Sequence, residues 1–452
     1  MAQETAQLAA YAAALRYEDL PPEVLQRAKH CIIDTVAAIT YGNDLPWSRI
    51  LIAYAERIGR GGASRILGHH GAPVQAPAAA LANGALAHAF EMDNLTKPGT
   101  GCHPGATLLA PALAVAQERR DRRIGGRDLL TAVVAGAEVM IRIGHATLHS
   151  NEKRGFHAPG TTGPFGGAVA IGRMLGFDAA TMGNALGIAG SLGCGLLEFA
   201  RSGTGAMVKR LHLGRAAESG VLAAELAAGG FTGPVSVLEG AAGFFKVYCD
   251  KTDMGALTHG LGSEYEMLTT LIKRYACHIT AHTPIQAVEE LRAEHRFSAA
   301  DIEHITISGI ERMVRVNNIP EPTDRMMAQY SVPFCVALSL HRDARDPDSF
   351  DERVTEDQAI AETCRRIALT IAEEPETYGS LASTATVHLK DGRIVTRRVE
   401  EFKGTPANPL DEAELRQKFL FLTRRIKNAE ALFERLLHIE EEKSLDWIGA
   451  PG

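Results

Sequence analysis

The feature that most constrains the fold is a change of hydrophobic pattern near residue 268. From Leu8 to about Gly243, successive segments place apolar residues three and four positions apart, which is the spacing of helices with one buried face. Gly or Asp residues mark the ends of these segments, and alternating patterns are absent. The first half of the chain therefore predicts an all-helical domain.

Beyond residue 268 the chain acquires alternating runs typical of strands. "DIEHITISGIERM" alternates apolar and polar residues, and "STATVHLKDGRIVTRRVE" contains two such runs joined by Asp391-Gly392, a strong hairpin signal. The 452 residues also exceed what one hydrophobic core usually serves. We predict a mainly α protein with a smaller α+β domain. The expected parts are a helical domain over 1–267, an α+β lid over 268–402, and C-terminal helices over 403–452 that return to the helical domain.

The charge balance limits the possible partners. A net charge of -7 without a long Lys/Arg run argues against a nucleic-acid partner. An anionic substrate must then be attracted by a local cationic pocket, because the overall field is negative.

The cysteines and the apolar segments indicate the compartment. Seven cysteines are scattered without a CxxC spacing, which is typical of a reducing compartment and lacks a zinc or iron–sulfur pattern. The N terminus has no basic leader with an apolar signal core. Charged residues such as Glu138 interrupt the apolar helical runs, so we expect no membrane span. These features predict a cytoplasmic protein without a membrane partner.

The stretch "HAFEMDNLTKPGTGCHPGATLLAPALAVAQ", residues 88–117, concentrates ionisable groups in a glycine-rich loop before an apolar helix. A solvated connection, with Pro104 beginning the helix, would explain the loop equally well. The functional alternative makes Glu91 or Asp93 a proton acceptor or orienting group and His103 an acid or base near neutral pH.

A second candidate segment is "KRGFHAPGTTGPFGGAVAIG", residues 153–172. Its glycines could suggest a dinucleotide-binding loop, but no strand precedes it and no βαβ unit follows. We therefore expect Gly166 and Gly167 to permit tight helix packing. His157 is kept as a functional candidate.

Two further segments carry cations. Lys209 and His212 are three residues apart and share one helix face, as either an edge that reaches solvent or an anion clamp. Lys273, Arg274 and His278 crowd together where the pattern changes, which suits a cleft for a polycarboxylate at a domain junction.

A zinc site is the alternative for the later segment, because His278 and His282 are four residues apart. The intervening Thr280 and the lack of an acidic third-ligand motif argue against it. We expect no metal.

In this order, the segments resemble the MmgE/PrpD family, which includes 2-methylcitrate dehydratase, cis-aconitate decarboxylase and iminodisuccinate epimerase. The resemblance covers about Leu8 to Leu437. The blocks that carry it are "HAFEMDN…HPGA", "GFHAPGTTGPFGGAVA", "KRLHLGRAAESG", "GFTGPVSVLEGAAGFF", "KRYACHITAH" and "AQYSVPFCVALSL".

The resemblance implies a homodimer whose active site lies between a large helical domain and a smaller α+β lid. The matching site positions are Glu91 and Asp93 for the two loop acids, His103, His157, Lys209, Lys273 and His278. The chain departs from the family pattern in the loop. Glu91 replaces the usual Asp, Asn94 replaces a second Asp, and Leu95 replaces a Thr, which removes one polar contact to substrate.

Residues and resemblance together predict a lyase for a small di- or tricarboxylate that needs neither metal nor cofactor. Pre-placed cations would stabilise an enediolate, and the candidates are Lys209, Lys273, His157 and His278. Glu91 and His103 would act as an opposed acid and base. The proposed catalytic residues are Glu91, His103, His157, Lys209 and His278, and the proposed substrate-binding residues are Asp93, His212, Lys273 and Arg274.

The reaction favoured by the sequence is a dehydration like that of 2-methylcitrate dehydratase. Decarboxylation or epimerisation of a small carboxylate, such as cis-aconitate or iminodisuccinate, is the alternative on the same groups. A carboxylate-binding protein without activity is a third possibility. The presence of Glu91, His103 and His157 favours an enzyme, because a binding protein needs only the cations.

Overall fold

The computed structural model describes residues 3–97, 100–200, 206–373 and 379–450. Its first part is helical, as the periodicity predicts. The helices are α1 Glu4–Ala14, α2 Pro22–Gly42, α3 Pro46–Ile58, α4 Ala76–Ala87, α5 Ala110–Glu118, α6 Gly126–Ala146, α7 Ser150–Lys153, α8 Ala158–Met174, α9 Ala179–Gly190, α10 Val208–Ala228 and α11 Phe244–Tyr248.

Helix α2 shows how the sequence sets these elements. Pro22 occupies the first turn, where a missing backbone N–H leaves no helical hydrogen bond unmade. Val24, Ala28 and Cys31 then recur at helical spacing and are buried. The apolar face of α2 consequently belongs to the core of the helical domain.

Glycines allow α8 to contact two neighbours closely. A Cβ at Gly166 would lie 2.9 Å from the Cβ of Met140 on α6, and a Cβ at Gly220 on α10 would lie 2.8 Å from the Cα of Gly167. Real Cβ atoms do not approach so closely. The predicted packing role of Gly166 and Gly167 is confirmed.

Helix α6 is long and apolar enough to cross a membrane by length and composition, but 94% of its apolar window is buried inside the protein. Glu138 does not interrupt the helix. Its carboxylate lies 3.6 Å from Arg142 one turn later and accepts a hydrogen bond from the Met267 backbone N–H. The helix therefore has the burial of a core element.

The region after residue 268 combines helices with a four-stranded sheet. The elements are α12 His282–His295, α13 Glu311–Val316, α14 Arg325–Tyr330, α15 Val332–His341 and α16 Gln358–Cys364, with strands β4 Ile302–Gly309, β5 Ile367–Ile371, β6 Ser383–Leu389 and β7 Ile394–Val399. The strand order is β5-β4-β6-β7, with β5 parallel to β4 and the other pairs antiparallel. The predicted α+β character and the β6–β7 hairpin are confirmed, and Gly392 supplies the positive φ of the turn.

In the described part of the chain, three short strands lie outside this sheet. They are β1 Arg60–Ser64, β2 Leu95–Thr96 and β3 Thr270–Leu271. The expectation of no strand before Gly243 was wrong for β1 and β2. Their sequences carry no apolar alternation, and β2 is a strand only because it pairs with β3, with Leu95 opposite Leu271.

The C-terminal helices are α17 Glu412–Leu422 and α18 Ala429–Leu437. Both contact α2. Along α17, Leu415, Lys418, Phe419 and Leu422 are buried. Lys418 in this buried face forms an ion pair with Asp34 on α2.

Candidate active site

The acid loop, defined as residues 88–97 and 100–105, begins where α4 ends. Glu91 adopts a left-handed backbone conformation with φ 57°, which costs a non-glycine residue about 1–2 kcal/mol. Its side chain is buried. Surrounding contacts must stabilise this conformation, and such strain is common at functional sites.

The first of two buried groups, the lysine cluster, surrounds the Glu91 carboxylate. Lys209 donates a hydrogen bond to Oε1, and Lys273 donates one to Oε2 at 2.9 Å. The Tyr330 hydroxyl lies 3.3 Å from Oε1 and also contacts the Lys209 ammonium group. One carboxylate therefore holds two lysines from distant parts of the chain.

Three elements place these partners. Lys209 is in the first turn of α10, and Tyr330 is the last residue of α14. Leu95 of β2 pairs with Leu271 of β3, and Lys273 follows two residues after. The two-residue ladder thus attaches the acid loop to the segment that carries the second lysine.

Electrostatics make Glu91 a fixed anion. Burial alone would raise its pKa, but the positive charges of Lys209 and Lys273 hold the pKa well below the usual range. Burial lowers the pKa of Lys209, against the attraction of Glu91. Burial raises the pKa of Tyr330 well above its ordinary value. Glu91 is consequently a poor proton acceptor near neutral pH. Its carboxylate instead accepts hydrogen bonds from Lys209 and Lys273.

The second group, the histidine cluster, is centred on Asp93. Its Oδ1 lies 2.9 Å from His88 Nδ1, and its Oδ2 lies 2.7 Å from His103 Nδ1. An ionised carboxylate only accepts, so both Nδ1 atoms carry hydrogen. Burial raises the pKa of Asp93, but attraction and hydrogen bonds from the two imidazoles bring it well below its usual value. Burial lowers the pKa of His88 to about 4, so His88 is neutral at pH 7.

This arrangement orients His103 for proton transfer. A carboxylate on Nδ1 fixes the tautomer and the orientation of the ring, as in hydrolase triads. His103 is 8% exposed, more than His88 or Asp93. Within the described residues its hydrogen bond is made by Nδ1, which leaves Nε2 for a reacting molecule.

The histidine cluster is also close enough to be considered as a metal site. One donor atom from each of His88, Asp93 and His103 lies within 4.8 Å of the others. A cation bound through the two Nδ1 atoms would have to displace their protons, whose hydrogen bonds to Asp93 have ordinary lengths. We therefore interpret the group as hydrogen-bonded.

A pair of histidines lies nearby, one immediately before α8 and the other on α10. His157 Nδ1 and His212 Nδ1 are 3.0 Å apart, so one donates and the other accepts. Burial, followed by the charge of Lys209, lowers the pKa of both. Both are neutral at pH 7, so they offer hydrogen bonds to a substrate and not the positive charge expected of His157.

His278 lies beside the lysine cluster. Its ring is 4.9 Å from that of Tyr330, and its Nδ1 is 2.9 Å from Thr280 Oγ1. Burial, and then the charge of Arg312, lowers its pKa well below the usual range. His278 is therefore also neutral, which differs from the expected cationic role.

Two residues considered from the sequence, Arg274 and His282, contact other parts of the protein. The Arg274 guanidinium lies 3.9 Å from Glu414 and over the Tyr275 ring, so the structure does not bring it to Glu91. His282 begins α12 and packs against Tyr275 and Phe402. His278 precedes that helix, so the two histidines do not form the i, i+4 pair of a zinc site.

Sequence reasoning missed two residues, His88 and Tyr330. His88 was part of the quoted loop, five residues before Asp93, but spacing alone does not show that its ring returns to that carboxylate. Tyr330 lies in "AQYSVP", a stretch noted only for its resemblance. Both residues lie in segments that resemble the family, and that resemblance could have identified them.

Known protein families and known proteins match this chain over the segments described above. Models of the MmgE/PrpD N-terminal and C-terminal domains match residues 6–256 and 275–439. The cis-aconitate decarboxylase of Aspergillus terreus (strain NIH 2624 / FGSC A1156) is 30% identical over 443 residues, covering 92% of this chain and 88% of that protein. The cis-aconitate decarboxylase of Homo sapiens is 28% identical over 415 residues, covering 90% and 84%. That of Mus musculus is 25% identical over 417 residues, covering 90% and 83%.

Proposed function

Because this chain belongs to the MmgE/PrpD family, we propose that it is a lyase that decarboxylates a small unsaturated tricarboxylate, with cis-aconitate as the first candidate. The observation that carries the proposal is the pair of buried clusters on one loop. One offers two lysines for carboxylates, and the other offers a histidine oriented by a carboxylate.

Lys209 and Lys273 are the proposed carboxylate partners. When both are protonated, the lysine cluster carries one more positive charge than Glu91 neutralises. A substrate carboxylate can share these donors without leaving either lysine unpaired. Neutral His157 and His278 would add hydrogen bonds at the edge of the same site.

The proposed chemistry needs a single proton donor. Breaking the carbon–carbon bond to one carboxylate releases CO₂, and the bond's electron pair forms a new carbon–carbon double bond. The former π pair moves to the carbon beside a second carboxylate and spreads into it as an enediolate. The lysines stabilise that charge, and the imidazolium of His103 transfers its Nε2 proton to the carbon. His103 then regains a proton from solvent.

The sequence alone favours dehydration, but the activity of the relatives leads us to propose decarboxylation. The relatives named above are cis-aconitate decarboxylases, at 25–30% identity over most of both chains. Decarboxylation also requires no group that protonates a departing hydroxyl. Glu91, the sequence candidate for the second acid or base, is held ionised by the lysines.

NMR in D₂O separates the reactions when purified protein is incubated with cis-aconitate, 2-methylcitrate or iminodisuccinate. We expect loss of CO₂ from cis-aconitate and one deuterium on the product carbon. Water loss from 2-methylcitrate without CO₂ release would support dehydration instead. Binding of all three without turnover or deuterium exchange would support a carboxylate-binding protein.

We also propose a cytoplasmic homodimer. Helix α10 and the loop after it expose large apolar side chains, including Leu222, Phe231 and Val235, the last 71% exposed. Such a surface suits a self-complementary contact. Light scattering should give twice the 48.5 kDa chain mass, and the single-chain mass at micromolar concentration would contradict the proposal.

A further inference from the structure

A third buried network supports the acid loop from α2 and α17. The Lys418 ammonium group on α17 donates to Asp34 on α2 and to the Met92 backbone oxygen, the latter at 2.7 Å. Asp34 is 1% exposed and Lys418 is 6% exposed. Lys418 therefore connects α17 to the acid loop.

Asn94 extends the network to the other end of the loop. Its Nδ2 donates to Asp34 Oδ2 at 2.9 Å and to Thr35 Oγ1 at 2.9 Å. Its Oδ1 accepts from the Gly105 backbone N–H at 2.9 Å. Gly105 also approaches Thr35 closely, because a Cβ at Gly105 would lie 1.9 Å from Thr35 Oγ1.

The anchored positions bracket the histidine cluster. Met92 and Asn94 are the immediate neighbours of Asp93, and Gly105 is two residues after His103. A shift of the network would consequently move the carboxylate and the imidazole together or apart. The side chain of Asn94 bonds to this network. The replacement of the family's Asp by Asn94 therefore affects how the acid loop is held in place.

Stability is a weak reason for such a network. Burial raises the pKa of Asp34 and lowers the pKa of Lys418, each against the attraction of the other. Replacing a buried ion pair by apolar groups of similar volume is often neutral or stabilising. A role in fixing the geometry of the acid loop explains the Asp34–Lys418 pair better.

We propose that Lys418 and Asp34 are positioning residues that hold Asp93 and His103 in line for proton transfer. The proposal rests on the proposed function. Both residues act through the loop backbone and Asn94, which separates them from the groups assigned to substrate.

The test is the double variant Asp34→Asn/Lys418→Met, which removes both buried charges and keeps similar volume. We expect a thermal midpoint close to that of the wild type, a kcat lower by about 10–100-fold, and a KM changed less than about threefold, because small displacements of reacting groups are costly. The matched control is Leu415→Ala on the same helix, which should lower the midpoint and keep kcat. A folded double variant with wild-type kcat would overturn the proposal.

Two further measurements keep the proposal testable. If the double variant does not fold, Asn94→Ala leaves the Lys418–Asp34 contact intact and removes the connection to Gly105. It should show the same fall in kcat, and unchanged turnover would count against positioning. If the wild type turns over none of the carboxylates, the proposed function fails. The imidazole ¹⁵N signals of His103 then decide, because they should move in the double variant and not in Leu415→Ala.

Discussion

The lysine cluster and the histidine cluster both bury one carboxylate on the same loop, but their partners differ. Glu91 is surrounded by two ammonium groups and a phenol, whereas Asp93 is held by two imidazoles. An ammonium group keeps its proton near neutral pH, whereas an imidazole is the side chain best suited to proton transfer there. The lysine cluster therefore supplies fixed charge, and the histidine cluster supplies a proton donor.

His88 connects the two clusters. Its Nδ1 faces Asp93 at 2.9 Å, and its Nε2 is 3.5 Å from Glu91 Oε1 without a hydrogen-bond partner among the described residues. A neutral ring with its hydrogen on Nδ1 places the Nε2 lone pair toward Glu91.

The largest effect should come from removing the proton donor. His103→Gln retains size and some hydrogen bonding but cannot exchange a proton near neutral pH. We expect kcat to fall by about 10²–10⁴, with little change in KM, because the lysines hold the carboxylates. Steady-state kinetics and a thermal scan measure both quantities.

The matched control for this variant is His304→Gln, which changes an exposed histidine of the β4–β6 sheet. It should keep the wild-type rate. If His103→Gln lowers the thermal midpoint but leaves turnover nearly intact, the role of His103 is to begin the helix and the catalytic assignment fails.

Removing fixed charge should affect both binding and rate. Lys209→Met leaves Glu91 with Lys273 as its remaining ammonium partner, so we expect KM to rise and kcat to fall by about 10²–10³. Lys246→Met, on the surface of α11, is the control for loss of a lysine. A lower kcat with unchanged KM would show that Lys209 does not bind substrate.

The pH dependence of stability should separate the clusters further. The folded pKa of His88 is about 4, below its unfolded value near 6.5, so the unfolded chain binds the extra proton first as pH falls. The free energy of unfolding should therefore fall between pH 6.5 and pH 4, by about 3 kcal/mol from His88 alone. Glu91 and Asp93, with lowered pKa values, should add their loss only below about pH 4.5.

Urea unfolding at several pH values tests this order. His88→Asn places an amide nitrogen near the position of Nδ1 and has no titrating ring. Its slope between pH 6.5 and pH 4 should be flatter than that of the wild type by up to about 1.4 kcal/mol per pH unit. An equally steep slope in the variant would contradict the neutral state assigned to His88.

The smallest expected effect is that of metal removal. Extensive dialysis against EDTA should leave the rate unchanged, because the two Nδ1 protons of the histidine cluster already bind Asp93. A loss of rate that zinc or iron restores would refute the hydrogen-bonded interpretation of His88, Asp93 and His103.

The sequence by itself determined the local structure and the composition of the site. Helical spacing set the elements of the first domain, and Asp391-Gly392 set the hairpin, because both depend on residues close in the chain. The loop's excess of ionisable groups marked Glu91, Asp93 and His103 for the same reason.

Only the tertiary structure decided which partner each group has. Glu91 meets Lys209, Lys273 and Tyr330 across 118, 182 and 239 positions of the chain. Those contacts depend on how the β2–β3 ladder and the helices pack, and no local pattern encodes them. Packing likewise assigned Asp93 to His103 and turned Arg274 toward Glu414. Burial then set the protonation states, since desolvation and charged neighbours depend on the folded environment and not on residue type.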